Sequence, residues 1–135
     1  TLINMKKYNE ACNVLQESLV LKERLHGVDS KDVGYTLNFL SIAQRNLGHL
    51  QEARTSAEQG LRIIETHYDQ EDPGLYAVVL VTNAYVLFEI GGEANLNRAM
   101  NLVNQAIAIE IQQFGAANEF SARLLARIEE KQRRE

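Results

Sequence analysis

Tryptophan is absent, and the 135 residues hold one cysteine and one proline. A lone Cys12 excludes an internal disulfide and points to a reducing compartment, so a cytoplasmic location is expected. One proline, with almost no runs of alternating β-branched residues, argues against sheet and for an all-helical chain. Positive charge is not in excess: Lys and Arg number 14 against 18 Asp and Glu, for a net charge of −4. Without a basic stripe, a nucleic-acid partner is not expected. No stretch approaches the roughly 18 consecutive apolar residues of a membrane span, so no membrane partner is expected either. The chain opens at Thr1 in mid-pattern, with neither a Met start nor a signal-peptide arrangement, which suggests a piece of a longer protein or a processed one.

Ordinary globular material fills the rest. An apolar content of 45% and a charged content of 24% suit one domain, residues 1–135, with a real core. Apolar residues recur at spacings of three and four over long segments, which is the helical period. The interruptions are legible too. In HGVDS (26–30), Gly27 can take positive φ and Ser30 can cap the next helix. In HYDQEDPG (67–74), Asp72 suits an N-cap and Pro73 a first helical residue. GGEAN (91–95) and FGAAN (114–118) each end on an Asn that could cap, and short turns are expected near Lys6 and at Leu47–His49. Six helices follow, at about 6–25, 31–47, 50–67, 73–90, 95–114 and 118–134, with successive helices antiparallel across short turns.

Beneath the helices lies a repeat. Ala11, Ala53 and Ala99 share one position in three units spaced by 42 and then 46 residues. Four residues later come Leu15, Ala57 and Val103; seven later Ser18, Gly60 and Ala106; eight later Leu19, Leu61 and Ile107. In the helices before them, Leu37, Leu40, Ser41, Gln44 and Gly48 correspond to Leu80, Asn83, Ala84, Leu87 and Gly91. Small residues recur where helices must approach, and larger apolar ones where a core must be filled.

TLNFLSIAQRNLGHLQEA (36–53) and KERLHGVDSKDV (22–33) resemble the tetratricopeptide repeat, in its longer kinesin light chain-like form of roughly 42 residues. Gln44, Ala57 and Asn83 depart from that pattern, standing where an aromatic, a Tyr or Phe, and a Leu are usual. The resemblance implies an all-α, right-handed solenoid of stacked antiparallel helix pairs; a plain helical bundle is the alternative. Its parts would be the second helix of a partial repeat (1–26), repeats at 30–67 and 72–114, and a terminal helix (118–135).

Chemistry is sparse. His26, His49 and His67 lie at or beside helix ends without metal-binding spacing, and the first and last suit the negative end of a helix dipole. Cys12 has no partner and reads as a small hydrophobe. Glu10, Glu17, Glu52 and Glu58 read as a solvated face, and Gly91–Gly92 lacks the strand and the Lys of a phosphate loop. IEEKQRRE (128–135) is mixed in sign and reads as a polar helix end. No catalytic residue, metal or cofactor is expected.

Helical geometry, with the family's habit of binding along the first helix of each pair, places a ligand wall. On 31–47 the core face is Leu37, Leu40, Gln44 and Leu47, while Tyr35, Asn38, Ile42 and Arg45 form another face. Asn38 resembles the Asn that clamps a peptide backbone in kinesin light chains. On 73–90 the wall is Val78, Val81, Tyr85 and Phe88, and on the last helix Arg123 and Arg127 extend it. The segment LYAVVLVTNAYVLFEI is apolar almost all round, so its wall face is either pressed against neighbouring helices or open as an apolar patch. The carboxylate-gripping cluster of some tetratricopeptide domains is missing, because Val81, Tyr85 and Phe88 occupy its places. The expected work is therefore non-catalytic binding of a protein or peptide. The alternatives are self-association through the exposed N-terminal helix and a regulatory module fused to an enzyme or DNA-binding domain.

Overall fold

The computed structural model describes residues 2–67 and 72–135, and these form six helices and no strand. They are α1 (Leu2–His26), α2 (Lys31–Asn46), α3 (Leu50–Thr66), α4 (Pro73–Ile90), α5 (Glu93–Phe114) and α6 (Glu119–Arg134). The chain divides into two compact units, residues 1–67 and 68–135. Residues 68–71 of the expected 67–74 turn lie outside the described residues.

In the first unit α1 runs unbroken from Leu2, so the turn expected near Lys6 is absent. Residues 2–7 contain no Gly or Pro, and nothing in them competes with the helix. Gly27 takes a φ of +90° to end α1, and the Ser30 hydroxyl accepts from the Val33 N–H to start α2. The two histidines near helix exits bind this turn rather than simply facing a dipole. His26 lies 3.4 Å from the Asp32 carboxylate. His67 Nε2 is 2.6 Å from the Asp29 carbonyl, and because a carbonyl only accepts, that nitrogen carries the proton.

The α1–α2 core joins Cys12 to Leu40 and Ala43, with Ala11, Leu15, Leu19 and Leu47 around them. Burial raises the Cys12 thiol above its ordinary pKa, with the Glu52 charge adding to it, which keeps it protonated and inert. The α2–α3 seam is tighter still. A Cβ on Gly60 would stand 2.9 Å from the Gly34 carbonyl oxygen, and one on Gly34 would stand 2.8 Å from Ile64 Cδ1. Two buried hydrogen bonds cross the same seam: Ser41 Oγ to the Ala53 carbonyl, and Ser56 Oγ to Gln44 Oε1, each 2.8 Å. Gln44 thus replaces the family's usual aromatic with a polar bridge.

In the second unit Asp72 and Pro73 stand at the N-cap and first position of α4, although the Asp72 side chain makes no capping bond. By length and composition α4 could cross a membrane, with a mean hydropathy of 1.5, although Thr82 and Asn83 interrupt its apolar run. More than half of that window is nevertheless buried within the protein, as a core helix requires. α5 starts at Glu93 rather than Asn95. Gly91 and Gly92 both adopt positive φ, +82° and +93°, so the chain turns within two residues. Asn95 then lies inside the helix and donates to the Gly91 carbonyl instead of capping.

Asn118 does cap α6, its side chain accepting from the Phe120 N–H. Behind it sits Glu110, 7% exposed, whose carboxylate accepts from the Asn118 N–H at 3.0 Å and from the Ser121 hydroxyl at 2.8 Å. The rest of this unit's core is mainly apolar: Leu80, Ala84 and Leu87 of α4, Leu96, Leu102 and Val103 of α5, and Leu124 and Ile128 of α6 are all buried, with Asn83 among them.

Candidate partner-binding surfaces

The best-formed surface belongs to the second unit, where α4 and α6 run side by side. Tyr85 and Phe88 are three residues apart on α4, while Phe120, Arg127 and Lys131 recur on one side of α6 at spacings of seven and four. Tyr85 stacks on Phe120 with ring centres 5.7 Å apart and planes 17° from parallel. It meets Phe88 edge to face at 6.0 Å. Over the Phe88 ring lie two cations, the Arg127 guanidinium at 4.8 Å and the Lys131 ammonium at 4.9 Å. Both are anchored to α4: Arg127 donates to the Tyr85 hydroxyl at 3.3 Å, and Lys131 to the Phe88 carbonyl at 2.8 Å.

An open groove of about 780 Å³ is lined by Phe88, Arg127 and Lys131 together with Glu89, Ala126, Glu130, Arg134 and Glu135, and Tyr85 and Phe120 are not part of that lining. Its carboxylates do not neutralise its cations evenly. Glu130 is taken by Arg133 at 2.8 Å and Arg134 at 3.0 Å. The Arg133 hydrogen bond and charge, with a smaller part from Arg134, hold the Glu130 carboxyl below its ordinary range. Arg127 and Lys131 form no ion pair among the described residues. The groove therefore offers the Phe88 ring with two cations fixed above it, a combination suited to an anionic group carried on an apolar body.

Residues expected on the wall are distributed unevenly. Tyr85, Phe88 and Arg127 come together between α4 and α6, with Phe88 and Arg127 lining the groove, although Phe88 is only 8% exposed because the cations cover its ring. Val81 is buried at 8%. Val78 is half-exposed and lines a separate groove of about 760 Å³ with Leu75, Gly74 and Phe114. Arg123 pairs with Glu119 one turn earlier on α6 and is not among the lining of the first groove. α4 thus answers both alternatives: ten of its 18 residues are buried, while Leu75 and Val78 stay open.

In the first unit Tyr35, Ile42 and Arg45 are half-buried on α2. Asn38, expected on the open wall, is only 2% exposed, and its Oδ1 accepts no hydrogen bond. The close approach of α3 accounts for part of this, since the Gly60 site reaches within 3.4 Å of the Asn38 backbone nitrogen.

Sequence reasoning missed Lys131, Phe120 and Glu110. Lys131 lies one turn beyond Arg127 and was legible as the next member of that row; it was absorbed into the mixed-charge end. Glu110 carried no signal, because its partners lie across a turn. Among the described residues no group of three or more His, Cys, Asp or Glu side chains is placed to hold a metal ion.

The tetratricopeptide repeat family model matches residues 1–66. Over these residues the chain belongs to the tetratricopeptide repeat family. The match spans α1 to α3, and the spacing of 42 residues between Ala11 and Ala53 is consistent with the longer kinesin light chain-like type. α4 and α5 continue the register of small and large residues that the matched region establishes. No curated protein matches the chain. Tetratricopeptide repeats are in general protein–protein interaction modules without catalytic activity, and they typically bind other proteins or peptides.

Proposed function

We infer that this tetratricopeptide protein is a non-catalytic, cytoplasmic scaffold that binds a peptide or protein segment on the first-helix faces, with α4 and α6 as the main contact. The observation that carries this reading is the pair of cations over Phe88. Arg127 and Lys131 are held in place by α4 yet lack carboxylate partners, so an acidic side chain entering the groove would meet charge that is already positioned. Tyr85, Phe88 and Phe120 would take the neighbouring apolar part of the segment, with Val78, Val81 and Arg123 further along the same wall. On α2 of the first unit, Tyr35, Ile42 and Arg45 would form a contact surface of their own, with Asn38 buried beneath it.

The test is titration of a fluorescent peptide of alternating Glu and Leu, with a Lys-and-Leu peptide as control. The acidic peptide should bind more tightly, and Arg127→Ala with Lys131→Ala should weaken it by roughly tenfold or more, as loss of two charge-assisted contacts would. Equal binding of both peptides, or no loss in the double variant, would remove α4–α6 as the site.

A further inference from the structure

α1 carries two apolar faces, and its own unit covers only one. Cys12, Leu15 and Leu19 pack toward α2. A second row, Val14, Leu21 and Leu25, remains 63%, 56% and 66% exposed. With Ser18 between them, these residues recur at alternating intervals of four and three, the spacing of a coiled-coil seam. Glu10, Glu17 and Arg24 border the row at intervals of seven on the side away from α2, and all three are exposed.

We propose that this row pairs with the same row of a second copy of the chain, with the two α1 helices antiparallel. The charges along the seam choose that arrangement. When Val14 faces the second copy's Leu25 and Ser18 faces its Leu21, Glu17 falls beside the second copy's Arg24, and the two-fold symmetry repeats the pair. Sliding by one heptad brings Glu17 against Glu17 and sets Leu25 opposite Lys7, which loses both advantages. A parallel pairing would need Lys22 as the partner of Glu17. Lys22 is held on the α2 side, 3.0 Å from the Thr36 hydroxyl. The antiparallel overlap covers about 14 residues, or roughly 21 Å at the helical rise, so the dimer is a weak one whose population depends on concentration.

Sedimentation velocity of the intact chain from micromolar to millimolar concentration tests this. A shift from monomer toward dimer is expected. Leu21→Glu with Leu25→Glu should abolish it without loss of helix content or melting temperature, since neither residue is part of the core. Glu17→Arg alone should weaken the dimer roughly threefold to tenfold, and Arg24→Glu added to it should restore the original affinity. A parallel pair would not be restored, because the swap then sets each new charge against Lys22 and Asp29 of its own sign. A monomer at every concentration overturns the proposal. So does a dimer indifferent to the two Glu substitutions, or one that the double charge swap leaves weak.

Discussion

The α2–α3 and α4–α5 pairs follow one register with opposite chemistry at the seam. Gly34 and Gly60 in the first correspond to Ala77 and Ala106 in the second, and Gln44 and Ser56 correspond to Leu87 and Leu102. The first pair sinks one helix into the other until a single methyl would strike backbone, then spans the contact with hydrogen bonds. The second pair gives each small position a methyl and fills the same places with buried leucine. A repeat of this kind specifies where two helices meet but leaves distance and polarity to each copy. The closer seam relies on geometry, because its hydrogen bonds hold over a narrow range of separations. The apolar one relies on volume, which tolerates small shifts.

Placing the first pair's chemistry in the second should do the most damage. Leu102→Ser empties part of an apolar core and buries a hydroxyl where Leu87 stands in place of the accepting Gln44, so a loss of about 3–4 kcal/mol is expected in urea unfolding. A loss below about 1 kcal/mol would mean the second seam already holds a polar acceptor or water. Next comes Gly60→Ala. Alanine is the better helix former by about 1 kcal/mol, yet the new methyl meets the Gly34 carbonyl, which cannot rotate away. A net loss of about 1–3 kcal/mol is expected, and a gain would show that α2 and α3 separate freely.

Smaller effects separate the buried asparagines. Asn83 on α4 donates to the Val79 carbonyl, whereas the Asn38 acceptor is unmet. Asn38→Leu should therefore stabilise the chain by about 1 kcal/mol while Asn83→Leu does not. If Asn38→Leu also weakens capture of a partner, the unmet acceptor is tied to binding. The smallest effect belongs to Glu130. Its carboxyl is held below the ordinary range in the fold, so its contribution is complete above that range and fades as pH falls through the lowered value. Being exposed, it should change the acid unfolding curve only slightly, and NMR titration of the Glu130 side chain in wild type against Arg133→Ala measures the shift directly.

How far the sequence speaks depends on whether a feature is local. The six helices and most of their ends follow from periodicity, Gly27, Ser30, Pro73 and Asn118. α1 starts earlier than expected because no residue there stops it, and α5 starts at Glu93 because two glycines turn faster than a capped Asn would. The aromatic half of the groove was legible from the face of α4. Lys131 was not, because its role depends on the Phe88 carbonyl in another helix, 43 residues away. Helical angle alone places Asn38 on an open face, and angle does not report how deeply Gly60 lets α3 approach.

Glu110 has a consequence for how α6 meets a partner. It pins the start of α6 through Asn118 and Ser121, while the far end is tied by Lys131 to the Phe88 carbonyl, by Gln132 to Asn97 and by Glu135 to the Gly92 N–H. A beam clamped at both ends does not swing to suit its load. Arg127, between the clamps, is held at a fixed height above Phe88, so a segment docking there as proposed would have to fit the groove as it stands. Under that proposal discrimination would lie in the partner's shape, and loosening either clamp would broaden the range of partners before it lowered affinity for any one of them.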